Sequence, residues 1–216
     1  MDPARVETGG GRSGVRVGLT GGIGSGKSAV AEMLRDRGAR IVDTDQLSRR
    51  AVAPRSEVLA EIAKRWPQAM APDGTLDRQA MARIVFNDAR ARKALNALLH
   101  PRIRELAFEE AARAQPGEIV VFVVPLLFES DFWRLCDVTV AVIAPMEQRL
   151  HRVVARDAVS EEHARARMAA QIDPEEARRR ADYVLENDGT LEELRARVDE
   201  LWERLTAAAR DRDARP

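Results

Sequence analysis

The sequence predicts an α/β fold in which a parallel sheet is flanked by helices. Short apolar runs rich in β-branched residues occur at residues 16–20, 39–42, 119–124 and 138–143, and residues 183–185 suit an edge strand. Nearly continuous apolar runs are typical of parallel strands, which are covered on both faces. Helical segments separate the runs, and strands that alternate with helices indicate an α/β protein.

The first predicted strand leads directly into a glycine-rich turn, and a helix is expected from Gly26. Apolar residues of the segment 29–34 share one face of that helix, and Gly38 ends it. The second predicted strand, residues 39–42, follows at once. This order, strand–glycines–helix–strand, is the start of a parallel β-α-β unit.

The second and third predicted strands are separated by residues 43–118, which have mostly helical patterns. That length exceeds one crossover, so we expect a helical insertion above the sheet. A second helical stretch, residues 146–180, is rich in arginine and is a candidate mobile cover. Further helices are predicted at 55–65, 78–84, 89–114 with an interruption near Pro101, 146–156, 161–170, 174–181 and 191–208.

Composition limits the classes of function. The 216 residues carry 35 basic and 35 acidic side chains, so no charge excess points to nucleic acid or a membrane surface. No apolar run is long enough for a membrane span, and Cys136, the single cysteine, excludes an internal disulfide and a cysteine-based zinc site. We therefore expect a cytoplasmic protein with no nucleic acid, membrane or obligate protein partner, and a flexible tail at residues 1–14.

A phosphate-binding motif occupies the turn after the first strand. Residues 21–28, GGIGSGKS, match G-x-x-x-x-G-K-[ST] in full, with a strand before and a helix after. The glycines let backbone N–H groups approach phosphate oxygens, and the helix N-terminus favours an anion. Lys27 is predicted to contact the β- and γ-phosphates, and the Ser28 hydroxyl is predicted to ligate Mg²⁺.

This P-loop alone does not distinguish a kinase from a GTPase or a motor ATPase. The D-x-x-G and N-K-x-D motifs of GTPases are missing, and the third strand ends in Pro125 without the carboxylate that ATPases place there. The chain length also suits a small-molecule kinase. We therefore favour a kinase that holds its metal mainly through Ser28 and water.

Two carboxylates, Asp43 and Asp45, follow the second strand, at the edge where open α/β sheets bind ligands. A kinase that acts on an alcohol needs a carboxylate to orient the hydroxyl and accept its proton. If the strand continues, both side chains point the same way. The alternative is a helix N-cap, because aspartate is favoured there and a helical pattern follows.

The predicted cover carries Arg149, Arg152 and Arg156 along one side of a helix. Arginines stabilise the charge that spreads over a phosphoryl group during transfer. A solvated basic face is the alternative. Gln148 and Gln171, which bracket this segment, are interpreted as possible surface residues.

Seven blocks of the sequence, taken together, resemble the dephospho-coenzyme A kinase family, in the family's order. They are VGLTGGIGSGKS, VDTDQLSRRAV, DGTLDR, LLHPRI, VPLLFE, EQRLHRVVAR and AAQ with RADYVLENDG, and the resemblance as a whole extends over about residues 15–205. The resemblance implies transfer of the γ-phosphoryl group of ATP to the ribose 3′-hydroxyl of dephospho-coenzyme A. Val123 stands where some members of the family carry an acid.

The resemblance implies one P-loop kinase domain over residues 15–210. Its core comprises residues 15–50, 116–145 and 181–208, its acceptor-binding helical region residues 51–115 and its lid residues 146–180.

The resemblance also implies a role for individual residues. Asp45, Lys27 and Arg152 are predicted to be catalytic, with Asp45 as the base and Arg152 as a lid arginine. The predicted ATP-binding residues are Gly22, Ile23, Gly24, Ser25, Gly26, Lys27, Ser28, Ala29, Arg156, Asn187 and Gly189. The predicted acceptor-binding residues are Asp43, Asp77, Arg78, His100, Leu126 and Leu127.

Two other functions remain open from the sequence. A nucleotide kinase would phosphorylate a nucleotide phosphate and would favour arginines over carboxylates at the acceptor, which the pair Asp43 and Asp45 speaks against. A nucleotide-binding switch or scaffold would bind ATP without transferring phosphate.

Overall fold

The computed structural model describes residues 14–169 and 171–213. The tail predicted at residues 1–14 lies outside this part, apart from Gly14, which is buried against the backbone of Glu118. Residues Asp43–Glu110 form one compact unit, and the rest of the described chain forms the other.

The first unit is built on a sheet of five strands in the order β2-β3-β1-β4-β5. β1 pairs in parallel with β3 on one side and with β4 on the other, and β4 pairs in parallel with β5. The predicted α/β fold with a parallel sheet is therefore confirmed. The strands are β1 Arg16–Thr20, β2 Arg40–Asp43, β3 Val120–Val123, β4 Val138–Ile143 and β5 Tyr183–Glu186.

The first unit also contains five described α-helices, none of which has a proline after its first turn. They are α1 Lys27–Asp36, α6 Met146–Asp157, α7 Glu161–Ala169, α8 Pro174–Arg180 and α9 Leu191–Asp213. Apolar residues of β1, β3 and β4 pack with those of α1 and α9 in one core, in which Leu19, Leu34 and Leu205 are fully buried. Burial of these branched side chains removes apolar surface from water and fixes α1 and α9 on the sheet.

The second unit is helical. It comprises α2 Thr44–Ala51, α3 Glu57–Arg65, α4 Arg78–Asn87 and most of α5, Ala89–Ala111. Its own core is formed around Leu59, Ile62 and Met81. The predicted interruption of α5 at Pro101 is absent, since Pro101 lies inside a continuous helix. None of the described helices is both long and apolar enough to cross a membrane.

Candidate active site

The P-loop lies between β1 and α1, where the sequence places it. Its backbone turns through a hydrogen bond of 3.0 Å from Ser25 N to the Gly22 carbonyl. Gly24 and Gly26 have φ angles of 78° and 93°, a left-handed conformation that glycine adopts without steric cost. Because α1 begins at Lys27, the N–H groups of its first turn face the end of the loop, as an anion site requires.

Side chains from outside the loop hold the carbonyl groups of three successive P-loop residues. Arg149 Nε donates to the Ile23 carbonyl over 3.0 Å, and Arg152 Nη1 donates to the Gly24 carbonyl over 3.2 Å. The third bond runs from Asn187 Nδ2, at the end of β5, to the Ser25 carbonyl over 2.7 Å. These bonds fix the orientation of consecutive peptide groups, and hence of the N–H groups that they carry.

Ile23 is held from both sides. Its carbonyl accepts from Arg149, and its N–H donates to Gln171 Oε1 over 2.7 Å. Arg149 lies on α6, whereas Gln171 lies between α7 and α8. A single residue of the P-loop is therefore fixed by two parts of the predicted lid.

Arg149 is the buried member of the basic face of α6. Only 4% of its surface is exposed, and it forms no ion pair with a carboxylate in the described part of the chain. Desolvation by burial lowers the pKa of its guanidinium. Its guanidinium lies so close to Gly22 that a Cβ there would overlap it, and a Cβ at Gly24 would lie 2.6 Å from the Arg149 carbonyl oxygen.

A cavity adjoins the P-loop at the carboxyl end of β1 and β4. The polar groups around it come from Thr20, Ser25, Arg149 and Gln171. Ser25 is itself buried, and its Oγ has no hydrogen-bond partner among the described residues. Buried polar groups are normally paired, so this surface suits a polar ligand or water.

The other predicted ATP-binding residues fall into two groups. Lys27 is half-buried and Ser28 is exposed, both in the first turn of α1, with Ala29 next to them. Gly189 lies exposed in the loop after β5, and Arg156 lies apart from the P-loop contacts. Arg156 pairs with Asp157 over 2.7 Å, and this contact raises the pKa of the Arg156 guanidinium.

The two predicted acceptor carboxylates do not continue the strand. Asp43 is the last residue of β2 and the N-cap of α2, and its Oδ1 accepts from Asp45 N over 2.8 Å. The strand therefore does not continue through Asp45, and the alternative of a helix N-cap is confirmed for Asp43. Asp45 is exposed in the first turn of α2.

The predicted acceptor residues of the helical unit have local structural contacts. Asp77 caps α4 by accepting from Gln79 N and Ala80 N, each over 2.9 Å. Arg78 lines a shallow depression of this unit together with Arg49 and Arg50. His100 is half-buried on α5, and desolvation, with a smaller contribution from the charge of Arg104, lowers its pKa.

The two leucines after β3 differ in exposure. Leu126 is 46% exposed, whereas Leu127 is fully buried and packs close to Gly18 of β1. Glu129, in the same segment, accepts from Ile172 N over 3.1 Å. Leu127 therefore contributes to the core, and Leu126 presents apolar surface.

Sequence analysis placed Arg149 on the basic face of the predicted cover and interpreted Gln171 as a possible surface residue, but it did not predict that either contacts Ile23. Arg149 is separated from Ile23 by 126 positions and Gln171 by 148, so neither contact has a local signal. The described residues contain no cluster of three or more His, Cys, Asp or Glu side chains that could hold a metal ion.

Comparison with known proteins identifies the family. The dephospho-CoA kinase family model matches residues 15–193. The chain belongs to the dephospho-CoA kinase family. It is 48% identical to a dephospho-CoA kinase of Moorella thermoacetica over 193 residues, which cover 88% of this chain and 91% of that relative. The resemblance predicted from the seven sequence blocks is confirmed.

Solved structures agree with this assignment. A crystal structure from Thermus thermophilus superposes with a TM-score of 0.79 at 43% identity, covering 88% of this chain and 98% of that one. A dephospho-CoA kinase from Campylobacter jejuni superposes with a TM-score of 0.69 at 25% identity, covering 89% and 98%. The predicted α/β fold of a P-loop kinase is therefore confirmed.

Proposed function

We propose that the chain transfers the γ-phosphoryl group of ATP to the ribose 3′-hydroxyl of dephospho-coenzyme A, giving ADP and coenzyme A. The observation that carries this proposal is the P-loop at the start of α1, with Lys27 and Ser28 in the first turn, in a chain of the dephospho-CoA kinase family. In the reaction, the bond from the γ-phosphorus to the β–γ bridging oxygen breaks, and a bond to the 3′-oxygen forms.

The P-loop binds the ATP phosphates. Lys27 neutralises charge on the β- and γ-phosphates, and the loop N–H groups donate to their oxygens. Arg152 belongs to the same site, because it already contacts the Gly24 carbonyl. Its remaining guanidinium donors stabilise the negative charge that develops on the transferred group.

Asp45 accepts the proton of the acceptor hydroxyl. Its carboxylate is exposed at the N-terminus of α2, and Asp43 caps that helix through the Asp45 N–H. The cap fixes the backbone of Asp45, which orients the carboxylate before the acceptor binds. Asp77, Arg78, His100 and Leu126 are the proposed acceptor contacts, in keeping with the family.

Mg²⁺ fits the residues present. The Ser28 hydroxyl is exposed in the first turn of α1, and magnesium commonly takes one or two protein oxygens and completes its shell with phosphate oxygens and water. When bound, the ion supplies charge neutralisation of the phosphates. Val123 offers no oxygen on its side chain, so Ser28 is the proposed protein ligand.

A coupled ADP-release assay tests the function with purified full-length protein, ATP and Mg²⁺. Dephospho-coenzyme A, adenosine and AMP are compared as acceptors, and the product is analysed for a 3′-phosphate. Turnover with dephospho-coenzyme A, but not with adenosine or AMP, supports the proposal. Turnover with AMP in its place would assign a nucleotide kinase, and ATP binding without any turnover would assign a nucleotide-binding switch.

Lys27→Ala is the control for the donor site in this assay. It is expected to lower turnover by at least about tenfold, because a charged contact to phosphate is worth roughly 1.5–3 kcal/mol.

A further inference from the structure

We propose that Arg149 and Gln171 are positioning residues that hold Ile23 of the P-loop in its phosphate-binding orientation. The inference rests on the proposed use of the P-loop for ATP, and it assigns a role to two residues outside the motif. Both act through the loop backbone: Arg149 on the Ile23 carbonyl and Gln171 on the Ile23 N–H.

The argument begins with the geometry of one residue. The carbonyl and the N–H of Ile23 belong to successive peptide groups, and each is engaged, over 3.0 Å and 2.7 Å. With both peptide planes fixed, neither can rotate without breaking a hydrogen bond. The peptide group that contains the Ile23 carbonyl also carries the N–H donor of Gly24, so the direction of that donor depends on Ile23 being held.

The burial of Arg149 argues against a purely structural role. A buried charge that lacks a paired carboxylate is costly, and replacing such a group by an apolar side chain of similar volume is often neutral or stabilising. Arg149 is 4% exposed and has no such partner among the residues described. Function at the adjoining phosphate loop accounts for a residue that stability alone disfavours.

Gln171 extends the arrangement toward the segment after β3. The next residue, Ile172, donates its N–H to Glu129 over 3.1 Å. Residues 171 and 172 thus link the P-loop to Glu129, which lies four positions after Pro125. Loss of the Gln171 side chain releases the Ile23 N–H while Ile172 stays tied to Glu129.

The test uses the full-length chain and the variants Arg149→Met, Arg149→Lys and Gln171→Met, with Arg195→Met as a matched control on the exposed face of α9. For each, the Kd for ATP with Mg²⁺ is measured by calorimetry, the stability by thermal unfolding, and KM and kcat by ADP release. Hydrogen–deuterium exchange over residues 21–26 reports directly on the loop.

We expect Arg149→Met to raise the Kd for ATP roughly tenfold or more while its Tm stays at or above that of the wild type. Arg149→Lys, which keeps the charge, should recover part of the affinity. Gln171→Met should raise the Kd about threefold to tenfold and speed amide exchange in residues 21–26. Arg195→Met should behave as the wild type.

An ATP affinity within about twofold of the wild type in both Arg149→Met and Gln171→Met would overturn the proposal. So would a weaker affinity that tracks a lowered Tm, since that outcome marks a packing role. The measurement of ATP binding does not depend on the acceptor. If the wild type did not phosphorylate dephospho-coenzyme A but the variants still bound ATP more weakly, the proposed function would be contradicted. The positioning role of Arg149 and Gln171 would still be supported.

Discussion

The side-chain amide of Asn187 donates a 2.7 Å hydrogen bond to the carbonyl of Ser25, although 162 positions separate the two residues. Asn187 follows β5, at the edge of the sheet, and Ser25 lies in the P-loop beyond β1. This bond completes the set that begins at Ile23, so the C-terminal part of the chain takes part in holding the donor loop.

Asn187→Asp is expected to destabilise the fold and weaken ATP binding. The substitution keeps the size of the side chain but sets an acceptor against the Ser25 carbonyl in a buried place, where Asn187 is 7% exposed. A buried unsatisfied or repulsive polar contact costs about 1–3 kcal/mol. Urea unfolding and ATP calorimetry measure both effects, and Asn96→Asp, exposed on α5, is the control. Unchanged unfolding and affinity would show that the bond contributes nothing.

Asp45→Asn is expected to lower kcat by about 10²- to 10⁴-fold, since general bases contribute on that scale. The Kd for ATP should change by less than about twofold, because the carboxylate acts on the acceptor. ADP release and calorimetry separate the two quantities. Asp36→Asn, at the exposed end of α1, should retain wild-type kcat. Normal turnover of Asp45→Asn would remove Asp45 as the base.

The stability of the helical unit should depend on pH through His100. Burial lowers the pKa of its imidazole below the ordinary value of 6.5, so the unfolded state binds more protons as the pH falls past that value. The free energy of unfolding should therefore fall between about pH 7.5 and pH 5.5, and His100→Gln should reduce that fall.

Urea unfolding at both pH values measures this difference. The matched control is His163→Gln, whose side chain lies exposed on α7. An equal pH dependence in the wild type and in His100→Gln would contradict the prediction.

Removal of one partner of the ion pair between Arg16 and Asp137 should strongly lower the free energy of unfolding. Arg16 Nη2 lies 2.8 Å from Asp137 Oδ1, and Arg16 Nε lies 3.0 Å from Asp137 Oδ2, with side-chain exposures of 9% and 19%. Asp137→Ala leaves a buried cation, which costs about 3–5 kcal/mol. Chemical unfolding measures this loss.

The control for that pair is Glu32→Gln, which breaks the exposed contact with Arg35 on α1 and should cost less than about 1 kcal/mol. If Asp137→Ala and Glu32→Gln lowered the free energy of unfolding equally, the predicted difference between a buried and an exposed ion pair would be wrong.

The sheet and the P-loop could be predicted from the sequence because both depend on local pattern. The strand at 138–143 is found with the same bounds, since an unbroken β-branched run specifies a buried strand. The polar stretch that follows residue 208 was not predicted as helix. In the structure α9 continues to Asp213, with Ala209 buried in the core, so tertiary packing extended the helix.

The contacts around Ile23 could not be predicted, and the sequence left open whether Asp43 continues the strand or caps a helix. Arg149 and Gln171 contact the P-loop only because the fold brings distant segments together, and no spacing in the sequence indicates these contacts. At Asp43, the preference of aspartate for a helix N-cap prevailed over continuation of the strand.

The close approach of α6 to Gly22 and Gly24 limits how this kinase can be recombined with others. In a transplanted loop, a larger residue at position 24 would collide with the backbone of Arg149, and one at position 22 would displace the Arg149 guanidinium. Conversely, a transplanted α6 that lacks this arginine would leave unfilled the space that Gly22 provides for the Arg149 guanidinium. Chimaeras with other P-loop kinases should therefore exchange the P-loop and α6 together.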